Sequence, residues 1–147
     1  EVACFDLQKM NIHGCLGCCK GGQNPESPCV QKDDMAEIRA EMLAADVIVL
    51  ASPIYFYSMT AQLKAVIDRT YAFYSELAGK TFYFIVTCGA PDASYTETML
   101  AALRGFTCCV PESKEGGVVL GVDSMEAGDV RKTAAVAEAY EMGRGIL

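Results

Sequence analysis

Two groups of side chains carry the chemical potential of this 147-residue chain. The first is the aromatic triplet Tyr55-Phe56-Tyr57. It follows an apolar run at residues 47–50 that closes at Ser52-Pro53, and a helical pattern opens after it at Thr60. Extended backbone sends successive side chains to opposite faces, so three aromatics in a row cannot all enter one core. At least one must line a surface or a crevice. The loop offers flat apolar area and almost no charge. That suits a planar heteroaromatic ligand better than a sugar, a metal or a bare phosphate.

The second group is sulfur: Cys15, Cys18, Cys19 and Cys29, drawn from eight cysteines in all. A [4Fe–4S] cluster asks for C-x2-C-x2-C and a more distant fourth ligand. Cys15 and Cys18 fit, and Cys29 has the place of the fourth. Cys19, however, adjoins Cys18, and Gly21 holds the position where the third ligand belongs. A zinc site meets the same obstacle. A redox-active CxxC pair sits at a helix N-terminus, whereas Cys18 leads into Lys20-Gly21-Gly22. The remaining reading is unliganded thiols on a loop that covers a dimer. The spacing therefore assigns no metal, with the four cysteines kept as the alternative ligand set.

Other reactive residue types are sparse. His13 is the only histidine, so no Cys–His or Ser–His–Asp set can be assembled. Cys88, at the end of an apolar strand, reads as a small buried hydrophobe, and Cys108-Cys109 as packing in an extended segment. Lys64 and Asp68 have i,i+4 spacing on a solvated helix face. Asp33-Asp34 opens a helix and caps it, which argues against a phospho-acceptor pair.

The elements that must position these groups follow from pattern. Residues 2–7 read as a strand and residues 10–32 as a long irregular connection. Asp34 and Glu37 have capping-box spacing at the start of a helix with the apolar stripe Met35, Ile38, Met42. Residues 46–51 form a strand apolar enough to be covered on both faces. Thr60 caps the next helix, whose buried side is Leu63, Val66, Ile67 and Tyr71. Residues 81–88 are a second apolar strand, ending at Gly89-Ala90-Pro91. Ser94 and Glu97 repeat the capping box, and Met99, Leu100 and Leu103 face inward. Residues 106–110 and 117–122 are extended, and a last helix covers residues 126–142. Strands alternating with helices imply βαβ crossovers. The expected architecture is α/β, a three-layer doubly wound parallel sheet, in one domain spanning residues 1–147.

Hydrophobic residues make up 52% and charged residues 21% of the chain, enough for a core of its own. A net charge of −7 disfavours nucleic acid and anionic membranes as partners. No apolar run approaches the roughly 18 residues of a membrane span, and no signal segment opens the sequence. Cysteines without an export signal are expected to be reduced thiols in a cytoplasm. A sheet of this type that holds a nucleotide-like ligand begins with a strand and a Gly/Ser/Thr-rich phosphate loop. Neither GxGxxG nor GxxxxGK[ST] occurs here. The expectation is that about 25 to 35 residues, one βα unit, precede Glu1.

SPIYFYSMTAQLKAVIDR (residues 52–69) and CLGCCKGGQNPESPCVQKDDM (residues 15–35) carry a family resemblance. TCGAPDASYTETMLAALRGF (residues 87–106) and the closing GVVLGVDSMEAGDV add to it. Together they resemble the flavodoxin-like NAD(P)H-dependent FMN reductases, in the branch that includes iron–sulfur flavoproteins. The resemblance runs from Val2 over nearly the whole chain and lacks the family's first strand and phosphate loop. It implies FMN as cofactor, its ring held between two loops. Pro53, Ile54, Tyr55, Phe56 and Met59 would form one, and Thr87, Cys88, Gly89 and Tyr95 the other. Gly89 lets backbone approach the ring, where main-chain N–H groups can bond the N5 and O4 edge.

The resemblance further implies NAD(P)H as co-substrate and a small acceptor such as a quinone, a nitroaromatic or free flavin. It also implies a homo-oligomer, and no side chain acting as acid or base. Two alternatives stand beside it. One is an iron–sulfur flavoprotein electron carrier using Cys15, Cys18 and Cys29. The other is a flavin-binding module without turnover.

Overall fold

The structure, a computed structural model, describes residues 1–18 and 29–146. Three β-rich runs form a parallel sheet in the order β1 (Val47–Pro53), β2 (Thr81–Thr87), β3 (Lys114–Gly121). Four helices accompany it among the described residues: α1 (Met35–Ala44), α2 (Ala61–Arg69), α3 (Glu97–Thr107) and α4 (Ala135–Arg144). Val47 pairs with Thr81 and Pro53 with Thr87; Thr87 in turn pairs with Gly121. The one irregularity in register lies between Phe82 and Tyr83. The carboxyl ends of all three strands therefore finish side by side, which brings the loops that follow them together.

Alternation sorts the residues of β2. Phe82, Phe84 and Val86 are fully buried, joining Ile48 and Leu50 of β1 in one core. Into that core α1 sends Met35, Ile38 and Met42, α2 sends Leu63, Val66 and Ile67, and α3 sends Met99, Leu100 and Leu103. The opposite face is met by α4, where Met142 abuts Gly117 and Ala135 lies close to Gly121. Helices on both faces of a parallel sheet give the expected α/β doubly wound layering. No described helix is long and apolar enough to cross a membrane.

Several local expectations are corrected. Residues 2–7 are not a strand: Val2 is 90% exposed, and regular structure starts with a short turn at Leu7–Lys9. β-forming residues become a strand only when a neighbour takes up their N–H and C=O groups, and no described strand pairs with these. β1 is covered on one face only, since Val49 and Ala51 are exposed. Residues 106–110 are not extended but finish α3 and its turn, because the i→i−4 bonds run on to Cys108 N–H and Arg104 O. The last helix starts at Ala135, after a separate short turn at Asp129–Lys132, as Thr133 is extended. Tyr71 is exposed rather than buried, since α2 ends before it.

Of three expected caps, one holds: Thr60 Oγ1 accepts from Leu63 N–H at 3.3 Å. Asp34 caps nothing, since its carboxylate accepts from Asn11 N–H instead. Asp92, not Ser94, supplies the side chain at the start of the turn Ala93–Thr96.

Candidate functional site

The loops after β1 and β2 converge on one cleft of about 420 Å³, within the usual range for small-molecule sites. Hydrogen bonds stitch its rim to the strand ends. Ile54 N–H donates to Thr87 O (2.8 Å), Cys88 N–H to Gly121 O (3.0 Å) and Ser124 N–H to Cys88 O (2.9 Å). Pro53, Ile54, Tyr55, Phe56, Thr87, Cys88, Gly89 and Tyr95 all line it. Met59 does not: it lies in the core at 6% exposure. Tyr57, Ala90, Ser124 and Met125 also line the cleft. The last two come from the loop after β3, which the sequence reading left between strand and helix without a role. Three flush strand ends require a third loop at the same rim, and that geometry was the available signal.

The first loop is anchored at its base. Ser52 Oγ accepts from Thr60 N–H at 3.0 Å and donates to Pro53 O at 2.8 Å. Between them the chain makes a two-residue hairpin, in which Tyr55 and Ser58 exchange backbone bonds of 2.9 and 3.1 Å. Phe56 and Tyr57, at its tip, have φ of +49° and +63°. Tyr57 stacks on Tyr95 with ring centroids 6.1 Å apart and planes inclined by 21°.

The lining suits a flat, largely apolar ring. Among the described residues, no charged side chain lines the cleft. Gly89 leaves its stretch of backbone bare on the cleft side, where the nearest neighbour is the flexible, exposed end of the Met125 side chain. Among the described residues, the Gly89 and Ala90 N–H groups have no hydrogen-bond partner, which leaves two donors for a ligand edge.

The sulfur group lies elsewhere. Cys15, Cys18 and Cys29 line a second cavity of about 640 Å³, beside the end of α2 and next to Cys109. Cys19 is outside the described residues. Among those described, no three His, Cys, Asp or Glu side chains are placed to hold a metal ion. Arg69 organises this region. Its guanidinium donates to both oxygens of Asp33 (2.7 and 2.9 Å) and to His13 O (2.9 Å). Its Nε has no partner among the described residues. The hydrogen bonds from Arg69 hold the Asp33 carboxyl down at about 2, against the opposing effect of burial. Burial works against the Arg69 charge, but contacts with Asp33 and Cys29 outweigh it and raise the pKa.

Several known proteins are similar to this chain. An iron–sulfur flavoprotein of Archaeoglobus fulgidus is 36% identical over 109 residues, covering 69% of this chain and 49% of that protein. An FMN-dependent NADH:quinone oxidoreductase of Pseudomonas aeruginosa is 39% identical over 85 residues, covering 58% and 34%. The chain thus spans about half or less of these relatives' length. Among solved structures, the Trp repressor binding protein of Bacillus subtilis superposes with a TM-score of 0.65 at 22% identity, over 74% of this chain and 75% of that one. A WrbA-like flavodoxin of Agrobacterium tumefaciens gives 0.54 at 18% identity, over 73% and 70%. At such identities the likeness concerns the fold, which is flavodoxin-like. The description of the NADPH-dependent FMN reductase family matches residues 1–114, more than three quarters of the chain. The chain belongs to that family.

Proposed function

We propose that the protein is an FMN-dependent NAD(P)H oxidoreductase that passes electrons to a small acceptor, a quinone, a nitroaromatic or a free flavin. The observation that carries this is the convergence of two strand-end loops on one uncharged cleft. It combines aromatic walls, a bare glycine backbone and two unpartnered N–H donors. When bound there, FMN supplies hydride uptake from the nicotinamide and delivery to the acceptor. The chain's own part is orientation and electrostatics. Tyr55 and Phe56 offer apolar area to one side of a ring. The N–H groups of Gly89 and Ala90 are placed to bond a carbonyl or nitrogen edge that gains negative charge. No side chain at the cleft acts as acid or base.

The described thiols do not fit an iron–sulfur cluster, because no three of the metal-binding side chains converge. Seven described cysteines are free thiols, in keeping with a reducing compartment. We place the protein in the cytoplasm, as a homo-oligomer.

The test is the absorption spectrum of the full-length protein as isolated, followed by addition of NADPH or NADH. The reading expects the two bands of oxidised flavin, bleached by the nicotinamide and restored by a quinone. Colourless protein that takes up no FMN ends it; flavin that no nicotinamide bleaches leaves a binding module instead.

A further inference from the structure

We propose that Met125 is a modification site: hydrogen peroxide converts its thioether to the sulfoxide, and the new oxygen takes the N–H groups of Gly89 and Ala90. The cleft is that of the proposed function. Any effect on flavin rests on that reading, whereas the modification does not. Exposure singles this methionine out. Of the seven in the chain, Met35, Met42, Met59 and Met99 are buried in the core. Met10 packs against that core, and the half-buried Met142 lies against Gly117. Met125 is 76% exposed.

Position gives the modification its consequence. Asp123 N–H donates to Ala90 O at 2.8 Å and Ser124 N–H to Cys88 O at 2.9 Å. These two bonds tie the loop after β3 to the loop after β2 and hold the next residue, Met125, beside Gly89. A side-chain carbon on Gly89 would stand 2.9 Å from Met125 Sδ. With hydrogen in its place, the sulfur rests against the backbone. A thioether is a weak hydrogen-bond acceptor. It leaves the N–H groups of Gly89 and Ala90 without a partner among the described residues. A sulfoxide at the same place is polar, and its oxygen accepts hydrogen bonds strongly.

The step balances without a cofactor. The Sδ lone pair attacks one oxygen of hydrogen peroxide, so an S–O bond forms and the O–O bond breaks. The departing hydroxide takes up the proton left on the transferred oxygen and leaves as water. Sulfur is oxidised by two electrons and peroxide is reduced by two. The sulfoxide oxygen then accepts from the backbone donors that the proposed function gives to the flavin edge, and it sets a polar group in an apolar lining.

The test treats the full-length protein, with bound flavin removed, with hydrogen peroxide and then with dithiothreitol to return oxidised thiols. Peptide mass spectrometry should find Met125 gaining oxygen about tenfold faster than Met10 or Met142. Amide exchange followed by NMR should slow about tenfold at Gly89 and Ala90, and FMN affinity should fall about tenfold, each the equivalent of one hydrogen bond. Methionine sulfoxide reductases should reverse both changes. Met125→Leu, compared with itself before and after treatment, should show neither. Oxidation of Met125 no faster than that of Met142 overturns the site. Unchanged exchange at Gly89 and Ala90 in the sulfoxide overturns the hydrogen bond, and an equal loss of affinity in Met125→Leu overturns the effect on flavin by moving it to the thiols. Untreated protein that binds no FMN removes the proposed function alone, since mass and amide exchange are read without flavin.

Discussion

Arg69 closes on Asp33 through two parallel hydrogen bonds, Nη1 to Oδ2 at 2.7 Å and Nη2 to Oδ1 at 2.9 Å, with neither side chain more than 2% exposed. The same guanidinium donates to His13 O, and the Asp33 carboxylate accepts from His13 N–H and Met35 N–H. One ion pair thus ties the last residue of α2 to the start of α1 and to the entry of the cysteine-bearing segment. Such a pair is weak evidence for net stability, but losing one partner strands the other charge.

Asp33→Ala removes the acceptor and leaves a buried guanidinium. Destabilisation should be about 3–5 kcal/mol, read from the urea midpoint at neutral pH. A loss under about 1 kcal/mol, the range of exposed pairs, would contradict the burial of this one.

Acid should act through the same carboxyl. Its pKa is held at about 2, below the ordinary 3.8, first by the hydrogen bonds from Arg69. A depressed carboxyl contributes stability that is fully present above its unfolded pKa. That contribution is lost as pH falls through the folded value. The amount is about 2 kcal/mol, lost between pH near 4 and pH near 2. Asp33→Asn, compared with wild type by urea titration across that window, should show a shallower fall. Surface carboxyls such as Asp92 and Glu115, also lowered, titrate alike in both proteins and cancel in the difference.

Ser52 is 6% exposed and holds the two ends of the aromatic loop together through Thr60 N–H and Pro53 O. Ser52→Ala leaves both groups short of a partner, a cost of about 1–3 kcal/mol. Thermal melts should register that loss, and flavin affinity should weaken with it because the loop base is released. A stable variant with unaltered flavin content would mean that the loop is held from elsewhere.

Tyr55→Ala combined with Phe56→Ala strips the apolar wall. Each aromatic can cover about 150 Å² or more of ligand and protein surface. The flavin-to-protein ratio after gel filtration should drop well below that of wild type while the circular dichroism spectrum stays native. Retention of full flavin would move the ring's binding away from this loop. Both side chains are more than half exposed, so their loss leaves the core intact.

The two apolar strands and the stripes of the first three helices were legible in the sequence, through apolar runs and 3.6-residue periodicity. The pairing of loops 53–56 and 87–89 came with the family resemblance. What was not legible depends on partners distant in sequence. Residues 2–7 have the composition of a strand, yet pairing decides the matter, and composition is blind to it. Met59 follows the aromatic triplet closely, but the hairpin at Phe56-Tyr57 reverses the chain and sends it into the core. Met125 reaches the cleft only because β3 ends level with β1 and β2. Asp33 and Asp34 both suggested a helix cap; Asp33 does accept from Met35 N–H at 3.3 Å, but its shorter bonds go to an arginine 36 positions on.

The ties around the cysteine-bearing segment have a further meaning. Gly14 O accepts from the Gln31 side chain at 3.0 Å, while Asn11 and Asp34 bond each other's backbone and carboxylate. Entry and exit are fixed to one another and, through Arg69, to a nine-residue helix whose other end anchors the aromatic loop. Doubling the length of chain that joins two clamped ends costs only about 0.6 kcal/mol. The frame that shapes the cleft therefore rests on the clamp itself, on Arg69, Asp33 and the ties from Asn11 and Gly14 to Asp34 and Gln31, and not on the length of what it closes.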